Sequence, residues 1–209
     1  MEKEIVINCG NIELEGILNI GDGRYKSAGV VIGHPHPQYG GNMHSSVVRS
    51  IFNGCSRLGF TVLRFNFRGV GKSNGSYADG IGEVEDLLAA VEYLKGLDIP
   101  CKRRFFVGYS FGAMVGLSAL ESFKDLAGWV GISPPMFSGN FTSILKFPRP
   151  KLVICGDGDT FCSVDELMNL YNKMVEPKAF SVVKGTDHFF VGYEEELEKK
   201  VVSFIKSWI

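Results

Sequence analysis

The chain lacks a surplus of either charge. Twenty-two lysines and arginines face 23 aspartates and glutamates over 209 residues, a formal net charge of −1. No broad field exists to hold nucleic acid or draw the molecule onto a membrane surface, so a small molecule is the expected partner. Paired cysteines are missing too. Cys9, Cys55, Cys101, Cys155 and Cys162 are odd in number and scattered, without a C-x-x-C pair or zinc-ligand spacing. They read as reduced thiols inside a cytoplasmic protein that needs no metal. No apolar run reaches membrane-spanning length, and Met1-Glu2-Lys3-Glu4-Ile5 has neither part of a signal peptide, so neither membrane insertion nor export is expected. Internal repeats and low-complexity tracts are absent as well. What is present is a 45% hydrophobic chain of a length that suits one core, hence one domain over 1–209.

Around one stretch the rest is organised. Phe105-Phe106-Val107 reads as a buried strand, and the small and apolar residues after Phe111 as a buried helix. Between them Gly108-Tyr109-Ser110-Phe111-Gly112 fits G-x-S-x-G, a strand-to-helix elbow that lifts a serine above a sheet. The glycines are needed because strand and helix approach too closely for side chains two residues either side of the serine.

Upstream, Ile5-Val6-Ile7 and the alternating Ile12–Leu18 run flank Cys9-Gly10-Asn11 and predict an antiparallel hairpin with one wet face. A turn-rich link, Gly21-Asp22-Gly23, follows. Gly29–Gly33 is continuously apolar, as in a central strand, and empties into His34-Pro35-His36-Pro37-Gln38-Tyr39-Gly40-Gly41-Asn42. An amphipathic helix is expected over 42–58, with His44 on its first turn, then a strand over 61–67 and a helix over about 81–95.

The loop between those last two, Arg68-Gly69-Val70-Gly71-Lys72-Ser73-Asn74-Gly75, invites a phosphate-binding reading. The pattern requires glycine where Asn66 stands, and G-x-G-x-x-G fails at Asn74, so a nucleotide site is set aside. Further strands are expected over 127–133, 151–156 and 179–183, and helices over about 163–175 and 194–208, the first opened by a capping box at Ser163-Val164-Asp165-Glu166. Residues 136–150 read as irregular and too short for an enclosing lid.

Strands alternating with helices after a hairpin predict an α/β fold: a mostly parallel central sheet, helices on both faces, no large cap domain. Functional loops then gather at the carboxyl ends of the strands. Ser110 is the expected nucleophile and needs a base and an acid. His188, just beyond the last strand, can reach over the elbow; His34 and His36 precede a helix and are less free to swing. The order serine, aspartate, histidine leaves two acids after the 151–156 strand. Asp159 is preferred because its extra residues let it curl toward the base, with Asp157 an open alternative; Asp187 is too close to His188 to orient it. For the oxyanion hole the expected donors are the backbone N–H of Phe111 and, since Pro35 and Pro37 have none, that of His36.

The His34-Pro35-His36-Pro37…Gly40-Gly41 loop, the Phe65-Asn66-Phe67-Arg68-Gly69-Val70-Gly71-Lys72-Ser73 loop and the Gly-Tyr-Ser-Phe-Gly elbow together resemble the small lidless proteins of the α/β-hydrolase superfamily, akin to dienelactone hydrolases and serine esterases. The similarity runs from Ile5 to the end of the chain. It implies an α/β-hydrolase fold, no cofactor, an acid at Asp159 within Gly156-x-x-Asp159, and a base at His188. Cys162-Ser163 departs from the Val-Pro that relatives often carry there, which puts the path of the acid loop in question. The expected function is a serine hydrolase of ester or thioester bonds in small acyl substrates. A small peptidase or amidase on the same residues, or a non-catalytic binding protein on the same scaffold, is the alternative. Oligomeric state, a homodimer included, does not follow from the sequence.

Overall fold

The structure is a computed structural model that describes residues 2–22, 25, 28–99, 101–138 and 140–209. Two strands, β1 (Glu2–Cys9) and β2 (Ile12–Asn19), form the expected antiparallel hairpin, with Cys9 opposite Ile12. Ile5, Ile7, Leu14 and Leu18 point inward while Glu4, Val6 and Glu13 face water. The link expected at Gly21-Asp22-Gly23 runs into Gly23, which lies outside the described residues.

Six more strands complete one sheet: β3 (Ala28–Gly33), β4 (Thr61–Phe65), β5 (Arg103–Tyr109), β6 (Leu126–Ile132), β7 (Lys151–Gly156) and β8 (Lys178–Val183). Their order is β1-β2-β4-β3-β5-β6-β7-β8, parallel from β4 onward. Every residue of β3, β4 and β7 is buried, as continuous apolar strands require when both faces are covered. One face carries α1 (Ser46–Arg57) and α6 (Glu194–Lys206), whose Val48, Ile51, Phe52, Leu197 and Val201 close one core. On the other face α2 (Ile81–Gly96), α3 (Phe111–Ala119) and α5 (Val164–Lys173) enclose Leu87, Phe106, Val115, Trp129 and Leu167. Burying each such side chain contributes about 1.5–3 kcal/mol.

Three expectations are corrected. The 42–58 helix begins at Ser46, because Asn42, Met43 and His44 form a turn pinned by Asn42 N–H to Ser45 Oγ and His44 N–H to Asn42 Oδ1; His44 is thus exposed ahead of the helix. The strand expected over 61–67 ends at Phe65, since the Phe67 N–H is taken by His34 Nε2 instead of a neighbouring strand. Residues 136–150 are not wholly irregular: Thr142–Lys146 makes a short helix, α4, that sinks Ile144 into the core.

The chain runs from β3 to β4 on one side, then to β5 on the other. The loops leaving β3 and β5 therefore diverge and open a crevice at the carboxyl edge of the sheet, where open α/β sheets bind ligands.

Candidate active site

Ser110 stands at that crevice, between β5 and α3. Its backbone has φ 53° and ψ −116°, a conformation that costs a non-glycine residue about 1–3 kcal/mol. The elbow is held by the Ser110 N–H donating to Ile132 O at 2.8 Å and by Ala113 N–H donating to Ser110 O at 2.9 Å. A Cβ on Gly108 would lie 2.5 Å from Ala113 Cα, and one on Gly112 would lie 2.5 Å from Gly33 O. Both contacts are impossible, so the glycines permit the crossing of β5, α3 and the end of β3.

The loop after β8 brings His188 over the elbow, with its Nε2 2.9 Å from Ser110 Oγ and its Nδ1 3.0 Å from both carboxylate oxygens of Asp159. All three residues are buried. Tyr109, read in the sequence only as a variable position of the elbow, donates its hydroxyl to His188 O at 2.9 Å and so ties the histidine loop to β5. A tyrosine next to the elbow serine was the only available signal.

The two aspartates after β7 take different tasks. Asp157 Oδ1 accepts the Gly185 N–H at 2.7 Å, which clamps the loops after β7 and β8 together. Asp159 Oδ1 accepts the N–H groups of Phe161 and Cys162, both at 2.9 Å. Burial pushes the Asp159 carboxyl up, but hydrogen bonding and charge from His188, with the Phe161 N–H, outweigh it and hold the group below the ordinary carboxylate range. Asp187 is occupied in a local turn, accepting the Phe189 N–H at 2.9 Å. The Cys162-Ser163 departure leaves the acid loop intact: Cys162 serves through its backbone, and Ser163 Oγ accepts Glu166 N–H to cap α5 while donating to the Glu166 carboxylate.

The other histidines are placed differently. His34 is fully buried, its Nδ1 2.6 Å from Pro35 O and its Nε2 accepting Phe67 N–H at 3.1 Å, which fixes a neutral ring. Burial lowers its pKa to about 4. The His36 ring lies against Phe111 and Tyr77, centroids 4.9 and 5.2 Å away, and its Nδ1 accepts Gln38 N–H, so the ring is a wall of the crevice. The Phe111 N–H opens α3 and has no partner within the helix, and the His36 N–H precedes a short 3-10 turn at Pro37–Tyr39.

The glycine-rich loop after β4 turns Asn66, Arg68 and Ser73 inward, onto β2 and α2. Lys72 N–H and Asn66 Nδ2 donate to Glu15 Oε2, and Ser73 Oγ donates to Asn66 O while accepting Glu15 N–H. Arg68 closes on Asp86 through Nε and Nη2 at 2.8–3.1 Å. The loop is thus fastened to β2 through Glu15 and to α2 through Asp86.

A cleft of about 1330 Å³ opens over Ser110 and His188. Its walls come from the loop after β3, the start of α2, the outer side of α3 and the loops after β6, β7 and β8. Among the described residues no lysine or arginine lines it, and Asp79 is its one carboxylate.

Fold and crevice define an α/β serine hydrolase without a lid. Residues 28–148 match the sequence model of a family described as "Serine aminopeptidase, S33", and the chain belongs to that family. An alpha-beta serine hydrolase homologue from Coxiella burnetii is 33% identical, covers 96% of both chains and superposes with a TM-score of 0.88. A Xanthomonas campestris protein described as an α/β serine hydrolase without lid is 26% identical, over 100% of this chain and 95% of its own, with a TM-score of 0.89. The Rickettsia prowazekii protein RP471 is 31% identical over 198 residues, 88% of this chain and 83% of that one.

Proposed function

We propose that this protein cleaves ester or thioester bonds of small acyl substrates through Ser110, His188 and Asp159, by way of an acyl-enzyme. The observation that carries the reading is the unbroken line from Ser110 Oγ to His188 Nε2 at 2.9 Å and from His188 Nδ1 to Asp159 at 3.0 Å. A serine hydroxyl is a weak nucleophile until a base accepts its proton as it attacks. His188 takes that proton on Nε2, and Asp159, kept ionised, fixes the tautomer and stabilises the imidazolium. The N–H groups of Phe111 and His36 hold the oxygen on which negative charge develops. His188 returns the proton to the departing alcohol or thiol, and water repeats the sequence on the acyl-enzyme. The proposed partner is the small acyl substrate alone, without nucleic acid or membrane insertion. The proposed setting is cytoplasmic, in keeping with five free thiols, and no described helix is long and apolar enough to cross a membrane.

Intact-mass analysis after exposure to a fluorophosphonate tests the reading. One adduct on the native chain and none on Ser110→Ala is expected; folded native protein that stays unlabelled overturns it and favours a binding protein on this scaffold.

A second reading, amide cleavage from a peptide amino terminus, draws on the family description and on Asp79, a lone exposed carboxylate in the cleft that could meet an ammonium group. An ester and an amide of one acyl group, compared by kcat/KM, separate the two: faster turnover of the amide overturns the ester reading.

A further inference from the structure

Large apolar side chains exposed singly are ordinary, but a cluster of them marks a binding surface, and here they converge. Tyr39, Ile81, Phe137, Phe161, Phe189 and Val191 are all exposed and all line the cleft over Ser110, while the other exposed large apolar residues described, Val6, Ile20 and Val175, do not. The aromatic rings of this rim fall into two groups. His36 contacts Phe111, Tyr39 and Tyr77 at 4.9, 4.8 and 5.2 Å between centroids. On the other side Phe161 lies 4.8 Å from the His188 ring, Phe137 6.3 Å from Phe161, and Phe189 5.7 Å from His188. Strand order explains the division: the first group comes from the elbow and the loops after β3 and β4, the second from the loops after β6, β7 and β8.

Direction follows from the chemistry. The proton for the departing group comes from His188 Nε2, so that group must lie beside the imidazole when the bond breaks. The carbonyl oxygen turns the other way, toward the N–H groups of Phe111 and His36. The alcohol portion is therefore delivered among Phe161 and Phe189, which pack on His188, and Phe137, which packs on Phe161. These rings do little for the free protein, since Phe137 is 76% and Phe189 57% exposed. With no described lysine or arginine along the cleft and Asp79 on its wall, an anionic carrier gains no ion pair there.

We propose that Phe137, Phe161 and Phe189 form a leaving-group subsite that selects uncharged, apolar alcohols, aromatic ones above all, and that the natural substrate is an ester of such an alcohol and not the thioester of a phosphate-bearing carrier. This rests on the assignment of Ser110 and His188 as nucleophile and base.

The test compares kcat/KM for benzyl butyrate and ethyl butyrate, whose alcohols have similar acidity, and for butyryl-CoA and butyryl-N-acetylcysteamine, which share the thioester and its cysteamine and differ in the phosphate-bearing remainder of the carrier. The benzyl ester is expected to exceed the ethyl ester about tenfold or more, a range that apolar contacts of this size support. The neutral thioester is expected to exceed the CoA thioester. In Phe137→Ala, whose ring contacts only Phe161 among the described rings, the benzyl-to-ethyl ratio falls about threefold or more while the ranking of acyl chain lengths on a fixed ethyl alcohol persists. An unchanged ratio in Phe137→Ala, an altered acyl ranking instead, or a preference for butyryl-CoA overturns the proposal. Fluorophosphonate labelling separates the failures. An adduct on Ser110 without the benzyl preference overturns the subsite and leaves the hydrolase reading standing, whereas no adduct overturns both.

Discussion

Two glycine-rich loops leave buried strands at the same edge of the sheet, and each holds a buried serine. After β4, Ser73 has both faces of its hydroxyl engaged, donating to Asn66 O at 2.8 Å and accepting Glu15 N–H at 2.9 Å. After β5, the Ser110 hydroxyl meets, among the described residues, only the His188 ring at 2.9 Å, beside an open cleft. The same contrast separates two buried histidines. His34 spends its nitrogens on Pro35 O and Phe67 N–H, both backbone, and its task is to stitch the ends of β3 and β4. His188 faces a carboxylate on one nitrogen and a hydroxyl on the other, so a proton can move along it. Reactivity lies in what residue chemistry leaves unsatisfied: backbone partners saturate and stiffen, side-chain partners on movable protons do not.

The sharpest way to break this contrast is at the acids. Asp159→Asn leaves His188 without its anion and with the wrong tautomer favoured, so kcat falls by about 10⁴-fold with the fold retained. Steady-state kinetics with circular dichroism on the same sample checks it; near-native kcat removes Asp159 from the site.

The saturated loop should fail in stability before it fails in chemistry. Arg68→Ala leaves the fully buried Asp86 carboxylate with the backbone N–H of residue 68 but without its counter-charge, at a cost of about 3–5 kcal/mol in urea unfolding. Its folded fraction should still take the fluorophosphonate label, and loss of labelling at unchanged stability would mean that this loop belongs to the reaction.

Acid should separate the histidines. His34 binds its proton at about 4 when folded and near ~6.5 when unfolded, so below ~6.5 the unfolded chain holds the extra proton. Its contribution is complete above ~6.5, is lost as pH falls toward about 4, and totals about 3 kcal/mol. His34→Gln should flatten that slope in a series of unfolding midpoints between these limits. At neutral pH this variant should keep its activity, because the His34 nitrogens bond only to Pro35 O and the Phe67 N–H and touch neither Ser110 nor His188.

The smallest effect is expected at Asp157. Asp157→Asn weakens the clamp on Gly185 N–H by about 1 kcal/mol, visible as a modest drop in Tm, and leaves kcat within a few-fold. A loss as large as that of Asp159→Asn would erase the distinction between the two aspartates.

Local chemistry made much of this readable in advance. The hairpin, the buried strands and the elbow follow from alternation, apolar runs and glycine spacing, all properties of neighbouring residues. Where the reading slipped, distant partners decided. Phe67 leaves β4 because His34 accepts its N–H, and residues 42–44 stay out of α1 with the Met43 N–H held by Asn66 Oδ1 at 2.8 Å, 23 residues away. Within residues 136–150, Ile144 has a core to enter only once α3 is in place. Asp157 and Asp159 could be ranked by reach alone until hydrogen bonds separated them, and Tyr109 gave no sign that its hydroxyl would carry the His188 loop.

Which strands are buried, where the chain must turn sharply, and that Ser110 stands on such a turn were all legible in the residues, because side-chain polarity and glycine set those properties over a few positions. Only the assembled sheet places β3 between β4 and β5, so that the loops after β3, β4, β6, β7 and β8 converge over Ser110. The same assembly set His34 to stitching and His188 to the serine, and gathered Phe161 and Phe189 beside the imidazole with Phe137 against Phe161. The physical reason is range: polarity and backbone freedom act between neighbours, whereas a hydrogen bond or a ring contact across 78 residues exists only after the sheet has ordered its strands.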